Sequence, residues 1–279
     1  MHEFLSRRLD RTWFPYVFVD ATYLDVRVGR RVVCRALVVA TGVSAEGRRE
    51  ILGMALGDAE TTDFWTSLSC GPCASGGSRS PPRRIPPGSC RPTGDAHAGI
   101  RAAVRAILPG ASWQRCRVHF ARNITSRLGP ARSKPAGALV STIFAQTSQE
   151  AVAAQYQHVI DALRDAFPEI AQMLKDAEPD LTAFAAFPRE HWTKIWSNNP
   201  IERLNREIKR RADVVQVFPD SESVTRLIGS VLLEQHEEWQ YGERRYLSQT
   251  SLRHLTDMLQ ADNSTDGTGS RPALPPITT

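Results

Sequence analysis

No stretch of the 279-residue chain approaches the roughly 20 apolar residues that a membrane-crossing helix needs, which excludes a helical membrane protein. Met1 to Arg11 lacks the apolar core of a secretion signal, so the chain reads as intracellular. Cysteine is sparse and odd in number, with five residues at Cys34, Cys70, Cys73, Cys90 and Cys116. That count, without an export signal, argues against a disulfide framework. Cys70-x-x-Cys73 has the spacing of half a zinc site, but only Cys90 and His97 follow it, so a zinc adaptor built on Cys70, Cys73, Cys90 and Cys116 lacks its second pair. What the chain does have is 41% hydrophobic residues, enough to bury the core of one large domain or two small ones. Its net charge of +5 is carried by clustered basic residues, which points to an anionic partner.

The early chain is β-patterned. Tyr16-Val17-Phe18-Val19 leads straight to Asp20. A run this apolar predicts a strand buried on both faces, where an ionised carboxylate is costly unless a cation or donors hold it. Asp20 is therefore a candidate ligand, the alternative being an aspartate that closes a strand at a turn. Tyr23 to Val28 continues the β pattern, Gly29-Arg30 supplies a turn, and Arg31 to Val43 and Glu50 to Leu56 predict two further strands joined by Ser44 to Gly47. Such short turns predict an antiparallel meander. Thr61-Thr62-Asp63 then offers caps to a helix opening with Phe64-Trp65.

From Ser69 to Gly94 the pattern breaks. The stretch SCGPCASGGSRSPPRRIPPGSCRPTG predicts neither a buried strand nor a sustained helix, and as a plain linker it is long for a compact domain. Asp95 stands ahead of Ile100, Ala103, Val104 and Ile107 at helical spacing, either as a helix-start carboxylate or as a second candidate ligand. Ser112 to Phe120 alternates as a short strand running into the basic segment Arg117 to Arg127. From Lys134 to about Trp196 apolar stripes such as Val152, Tyr156, Val159, Ile160 and Leu163 predict an all-helical insertion.

Asn198-Asn199-Pro200 starts a helix on which Ile201, Leu204 and Ile208 share the buried face, while Glu202, Asn205, Arg206 and Lys209 share another. Glu202 among Arg203, Arg206, Lys209, Arg210 and Arg211 is either a salt-bridge partner or a third candidate ligand. A further helix is predicted over Ser223 to Gln240, and the polar, Pro-rich tail is predicted to be disordered. Three separated carboxylates amid basic residues suggest a site for two Mg²⁺ ions about 4 Å apart and phosphodiester chemistry, with the Arg and Lys side chains on DNA phosphates.

The blocks YVFVDATYLDVR, RREILGMALGDAETTDFW, GDAHAGIRAAV, SWQRCRVHFARN and HWTKIWSNNPIERLNREIKRR, continuing through LLEQHEEWQYGERRYLS, cover most of Pro15 to Ser248. In this order they resemble the Mutator-like transposases of bacterial insertion sequences, the IS256-type family. The resemblance implies an α/β fold, an RNase H-like mixed sheet with flanking helices interrupted by an all-helical insertion. It implies a DDE transposase that cleaves and joins DNA strands with Mg²⁺, or Mn²⁺ as substitute, held by Asp20, Asp95 and Glu202 as catalytic ligands. It places Cys116-x-x-His119 near the active site, on DNA or orienting a ligand, the alternative for His119 being a structural strand-end histidine. Arg203, Asn205, Arg206, Lys209, Arg210 and Arg211 become DNA-binding or accessory residues, and the rival acids Asp25 and Asp58 are not selected. The partners implied are the terminal inverted repeats and target DNA, bound by a homodimer or larger assembly in the bacterial cytoplasm, at the nucleoid.

The implied organisation is an N-terminal remnant to residue 14, a catalytic core over 15–122, the helical insertion over 123–196, core helices over 197–256 and a disordered tail over 257–279. Two departures from the family pattern carry expectations. The chain begins almost at the catalytic domain, so specific recognition of the repeats is expected to be lost. Where the family has a helix and an apolar strand leading to the second Asp, this chain has Ser69 to Gly94. A compensated pair of frameshifts, out of frame from about Leu68 and back by Gly94-Asp95, accounts for that stretch. It is expected to leave a weakly active or dead transposase, or a non-catalytic remnant that only binds DNA.

Overall fold

The structure, a computed structural model, describes residues 4, 5, 7, 9, 13–57, 91–94 and 112–265, with 91–94 and 262–265 described by their backbone alone. In chain order the strands are β1 (Tyr16–Val28), β2 (Arg31–Val43), β3 (Arg49–Gly57), β4 (Arg91–Gly94), β5 (Gln114–Arg115) and β6 (Val217–Phe218). The helices are α1 (Arg117–Ile143), α2 (Gln149–Leu163), α3 (Pro168–Leu181), α4 (Trp192–Ile195), α5 (Asn199–Val215), α6 (Ser221–Tyr241) and α7 (Gln249–Thr265). They divide between two compact units, Met1–Ser112 with Asn198–Thr279, and Trp113–Ser197. The fold is mixed α/β. Among the described residues no helix is long and apolar enough to cross a membrane.

In the first unit β1, β2 and β3 form the antiparallel meander that their patterning predicts, from Tyr16 opposite Val43 to Val28 opposite Arg31. Tyr16 to Val19 are buried on both faces. Beyond them the strand alternates, with Thr22, Leu24 and Val26 buried and Tyr23, Asp25 and Arg27 exposed. The other edge of β1 takes two short parallel partners, β4 against Tyr16–Phe18 and β6 against Asp25–Val26. Ser69 to Gly94, expected to hold no buried strand, thus ends in a short strand over its last four residues. Ladder pairing needs backbone groups rather than apolar side chains, and in a parallel ladder only alternate N–H groups face a given partner, so Pro92 is accommodated.

Between Ala40 and Thr41 the register of β2 with β3 slips, Ala40 facing Gly53 and Thr41 facing Ile51, which leaves Leu52 as an extra residue. At this irregularity the Ile51 N–H donates to Nδ1 of His236 on α6 at 3.3 Å. The β2–β3 turn requires Gly47: its φ is +79°, and a Cβ there would lie 2.1 Å from the Leu247 carbonyl oxygen. That close approach lets the Tyr246 and Leu247 N–H groups donate to the Gly47 carbonyl at 2.8 and 3.1 Å, tying the end of the meander to the segment after α6.

Helix α5 begins with Pro200 in its first turn and buries Ile201, Leu204 and Ile208, the face its spacing predicts, and it packs on β1. Helix α6 packs on β3 through an apolar stripe that includes Val224, Ile228 and Leu232, and opens with a capping box between Asp220 and Ser223. The tail expected to be disordered from residue 257 is helical to Thr265: Leu252 and Leu255 are buried on α7, and two apolar residues one turn apart anchor a helix that composition alone made look unstructured.

In the second unit the strand expected over Ser112 to Phe120 is confined to Gln114–Arg115, and α1 starts at Arg117. Cys116, Val118 and Phe120 fit a period of two over a few residues, but Phe120 and Ile124 are both buried, a helical interval, and the Phe120 N–H donates to the Cys116 carbonyl at 3.0 Å. From Arg117 on, the segment is therefore helical, with only Gln114–Arg115 extended. Gly129, with a φ of 75° just before Pro130, kinks α1. The stripes on α2 and α3 bury Val152, Tyr156, Val159 and Ile160 with Ile170 and Leu174, and Tyr156 donates its hydroxyl to the Leu174 carbonyl at 2.7 Å. Phe144, Phe184, Trp192 and Trp196 close the unit as an aromatic cluster with centroid separations of 5.0 to 5.6 Å.

Candidate active site

The first unit builds its site where α5 crosses β1. Asp20 lies just past the stretch that β4 covers, half-buried, with Thr22 following on the same face of the strand. Two amides of the α5 segment reach consecutive residues of β1. The Asn198 side chain donates through Nδ2 to the Val19 carbonyl at 3.3 Å, and Asn205 donates through Nδ2 to Oδ2 of Asp20 at 2.7 Å. Asn198 is fully buried and Asn205 is 8% exposed. Asn198, Glu202 and Asn205 recur at intervals of four and three and so form one stripe of the helix, beside the apolar stripe of Ile201, Leu204 and Ile208. Glu202 is half-buried in the first turn, with Oε1 closed to solvent, one turn before the residue that holds Asp20. A carboxylate in the first turn also suits the positive end of the helix dipole.

The third predicted acid, Asp95, lies outside the described residues, as do Asp58, Cys70, Cys73, Cys90 and His97. The strand that precedes Asp95 in sequence is nonetheless registered with Thr93 opposite Phe18. Asp20 and Asp95 each follow two residues after that pair. Asp25 is exposed on the face of β1 opposite to Asp20, which separates these two acids. Among the described residues no three His, Cys, Asp or Glu side chains lie close enough to share a metal ion.

Of the predicted basic set, Arg203, Arg206, Lys209 and Arg210 are exposed on α5. Arg210 and Arg211 both pair with Glu207, at 2.7 and 3.0 Å, and these contacts, the Arg210 hydrogen bond foremost, pull the Glu207 carboxyl down to about 2. Arg203 and Arg206 make no ion pair among the described residues, and with Arg210 and Arg211 they line a cavity of about 410 Å³ whose opposite wall is Glu234, Gln235 and Glu238 of α6. Asn205 parts from Arg206 and Lys209, with which its spacing grouped it: it is buried against Asp20, because its position three residues after Glu202 brings it toward the strand. Cys116 and His119 belong to the second unit, one turn apart at the start of α1; Cys116 is fully buried and His119 partly so.

The residues sequence reasoning missed are Asn198 and Thr22. Thr22 is 3% exposed, and its hydroxyl has no hydrogen-bond partner among the described residues. Asn198 was legible in principle, since Asn-x-x-x-Glu-x-x-Asn is a polar stripe running beside an apolar one.

The sequence profile of the Mutator family of transposases matches residues 1–70 and 92–242. The chain belongs to this family. It is 46% identical over 264 residues to the transposase of insertion sequence element IS1081 from Mycobacterium tuberculosis, an alignment that covers 94% of this chain and 60% of that protein. It is 31% identical over 252 residues to the transposase of IS256 in transposon Tn4001 from Staphylococcus aureus, covering 89% of this chain and 62% of that one. A third relative, the IS406 transposase of Burkholderia multivorans, is 31% identical over 245 residues, with coverages of 82% and 57%. The chain thus spans about three fifths of the length of the curated relatives it matches. The Mutator profile skips residues 71–91, inside the Pro- and Gly-rich stretch, and resumes within one residue of the start of β4.

Proposed function

We propose that this chain is the catalytic region of a DDE transposase with an RNase H-like core, cutting and joining DNA strands at insertion-sequence ends, and that Asp20, Asp95 and Glu202 hold its divalent cation. The observation that carries this reading is the Asn205–Asp20 hydrogen bond, which docks the helix bearing Glu202 onto the strand bearing Asp20. Two acids far apart in sequence are thereby brought to one helix–strand contact. The donor set fits Mg²⁺ or Mn²⁺: these hard cations prefer carboxylate oxygens, and the amide oxygen of Asn205 adds a buried acceptor without a donor among the described residues. Bound there, the cation supplies activation of a water or 3′-hydroxyl and stabilisation of the leaving oxygen. The chain's own residues do the rest. Asn198 and Asn205 lock α5 to β1, Glu202 and Asp20 present their carboxylates, and Arg203 and Arg206 neutralise the phosphates that flank the scissile bond.

The same reading includes an impairment. Residues 71–91 fall outside the family profile, which favours a shifted reading frame in place of the family's helix and strand. The expected frame return moves upstream from Gly94-Asp95 to about Arg91, where β4 begins. Catalytic constellations tolerate displacements of only about 0.5 Å, so a segment foreign to the fold just before the second acid lowers the rate. The test is a strand-transfer assay with Mg²⁺ or Mn²⁺ on this chain, on a version restored to the alternative frame across codons 67 to 91, and on that version carrying Asp20→Asn or Glu202→Gln. The restored protein is expected to transfer strands, this chain weakly or not at all, and the acid variants not at all. Strand transfer that survives both substitutions refutes the assignment. If the restored protein retains DNA in a salt-dependent way and never cuts it, the non-catalytic binding reading stands instead.

A further inference from the structure

The two amides at the α5–β1 contact do different work. Asn198 meets the main chain of Val19, a docking contact, whereas Asn205 meets the carboxylate of Asp20 itself. An ionised carboxylate only accepts hydrogen bonds, so the 2.7 Å contact fixes which way the Asn205 amide points: its nitrogen faces Asp20 and its oxygen faces away. That oxygen is closed to solvent and has no hydrogen-bond partner among the described residues, on a side chain only 8% exposed. Burying an acceptor without a donor is unfavourable, and an apolar residue at the position would avoid the penalty. Its place beside an acid, one turn from a second acid, points to a donor beyond the described residues.

We propose that Asn205 is the positioning residue of the cation site: its amide N–H fixes the plane in which Asp20 offers its carboxylate, and its amide oxygen accepts a hydrogen from water carried by the hydrated divalent cation. The inference rests on the reading of Asp20 and Glu202 as cation ligands. Mg²⁺ dehydrates reluctantly and keeps several waters when one or two carboxylates bind it, so such a cation brings a donor of the kind the Asn205 oxygen lacks among the described residues. Asn meets both demands at once. Asp at 205 would offer no donor and add a charge against Asp20, Gln would need room for a further methylene in a buried setting, and Ala would leave Oδ2 of Asp20 without this donor.

The test is Mn²⁺ titration of the whole chain without DNA, with free Mn²⁺ followed by its electron paramagnetic resonance signal and melting curves recorded with and without the ion. Removing a partner that orients a ligand weakens metal binding by about 10- to 100-fold, and Asn205→Ala is expected to raise the Mn²⁺ Kd by at least about tenfold. A side chain that merely packs would lower the melting temperature and leave the Kd within twofold of the parent; that result overturns the proposal. Should the Ala variant not fold, Asn205→Asp preserves shape while facing one carboxylate with another. It is expected to melt lower than the parent without the ion and to gain more than the parent on adding Mn²⁺, and a gain equal to the parent's overturns the proposal. Asp20→Asn separates this inference from the one beneath it. If Asp20→Asn binds Mn²⁺ as the parent does, or the parent binds none at millimolar concentration, the ligand reading falls and the role of Asn205 with it. Loss of binding in Asp20→Asn alone, with both Asn205 variants binding as the parent does, removes only the role of Asn205.

Discussion

Gln114 is the side chain on which the second unit should be most sensitive to a single polar change. It is 1% exposed and spends its whole amide on the backbone: Nε2 donates to the Arg115 and Leu181 carbonyls at 2.7 and 3.2 Å, and Oε1 accepts from the Phe184 N–H at 2.7 Å. Leu181 is the last residue of α3, so its carbonyl has no partner within the helix, and Phe184 sits in the 3-10 turn that follows. Gln114→Leu nearly conserves volume and strips both groups of this partner. At about 1–3 kcal/mol for each of the two buried groups left unsatisfied, the unit is expected to lose about 2–6 kcal/mol. Urea unfolding followed by tryptophan fluorescence measures it, since Trp192 lies 5.0 Å from the Phe184 ring, with amide exchange at Phe184 as a local check.

Gln114→Glu adds a signature in pH. The carboxylate keeps an acceptor for the Phe184 N–H but opposes two carbonyl oxygens, so its folded pKa rises above the unfolded value of about 4.3. Its contribution is then fully present below that unfolded value and is lost as pH rises through the folded one. A Leu variant within about 0.5 kcal/mol of the parent, the range of an ordinary surface substitution, would refute the reasoning.

Three further outcomes are expected from the first unit. His236, which must be neutral to accept from Ile51, is held down at about 4, below the ordinary imidazole value of 6.5, by burial and by Arg7. Its contribution is therefore present above pH 6.5 and lost as pH falls toward 4, by about 1 kcal/mol once screening of a half-exposed ring is allowed for; melting curves between pH 7 and 4 should show a loss that His236→Gln removes. Ile208→Ala, at a fully buried position of α5, should cost about 2–5 kcal/mol in urea unfolding, and a cost under about 1 kcal/mol would contradict its place in the core. Replacing Arg203 and Arg206 together by Ala should flatten the dependence of log DNA affinity on log salt by about 1.8, and an unchanged slope would remove them from the phosphate contacts.

The meander was legible because its strands carry their own pattern: continuous apolar residues from Tyr16 to Val19, alternation after Thr22, and Gly at both tight turns. The apolar face of α5 was legible from spacing, and the family from the order of the sequence blocks. Less legible were elements made by pairing rather than by composition. Neither Arg91–Gly94 nor Val217–Phe218 has a strand-like pattern, and each is a strand because β1 offers an edge to it. The start of α1 was misjudged because five residues fit both periods, and the buried Ile124 one turn further on decides between them.

The sequence by itself determined which acids were available, which helix faces could be buried, and which family supplied the blocks, because periodicity and residue chemistry are properties of the chain. Only the tertiary structure decided that Asn205 is buried against Asp20 rather than exposed with Arg206 and Lys209. A hydrogen bond between residues 185 positions apart has no local signature, and it forms because apolar burial along α5 sets the helix against β1 at the one phase that brings amide and carboxylate together.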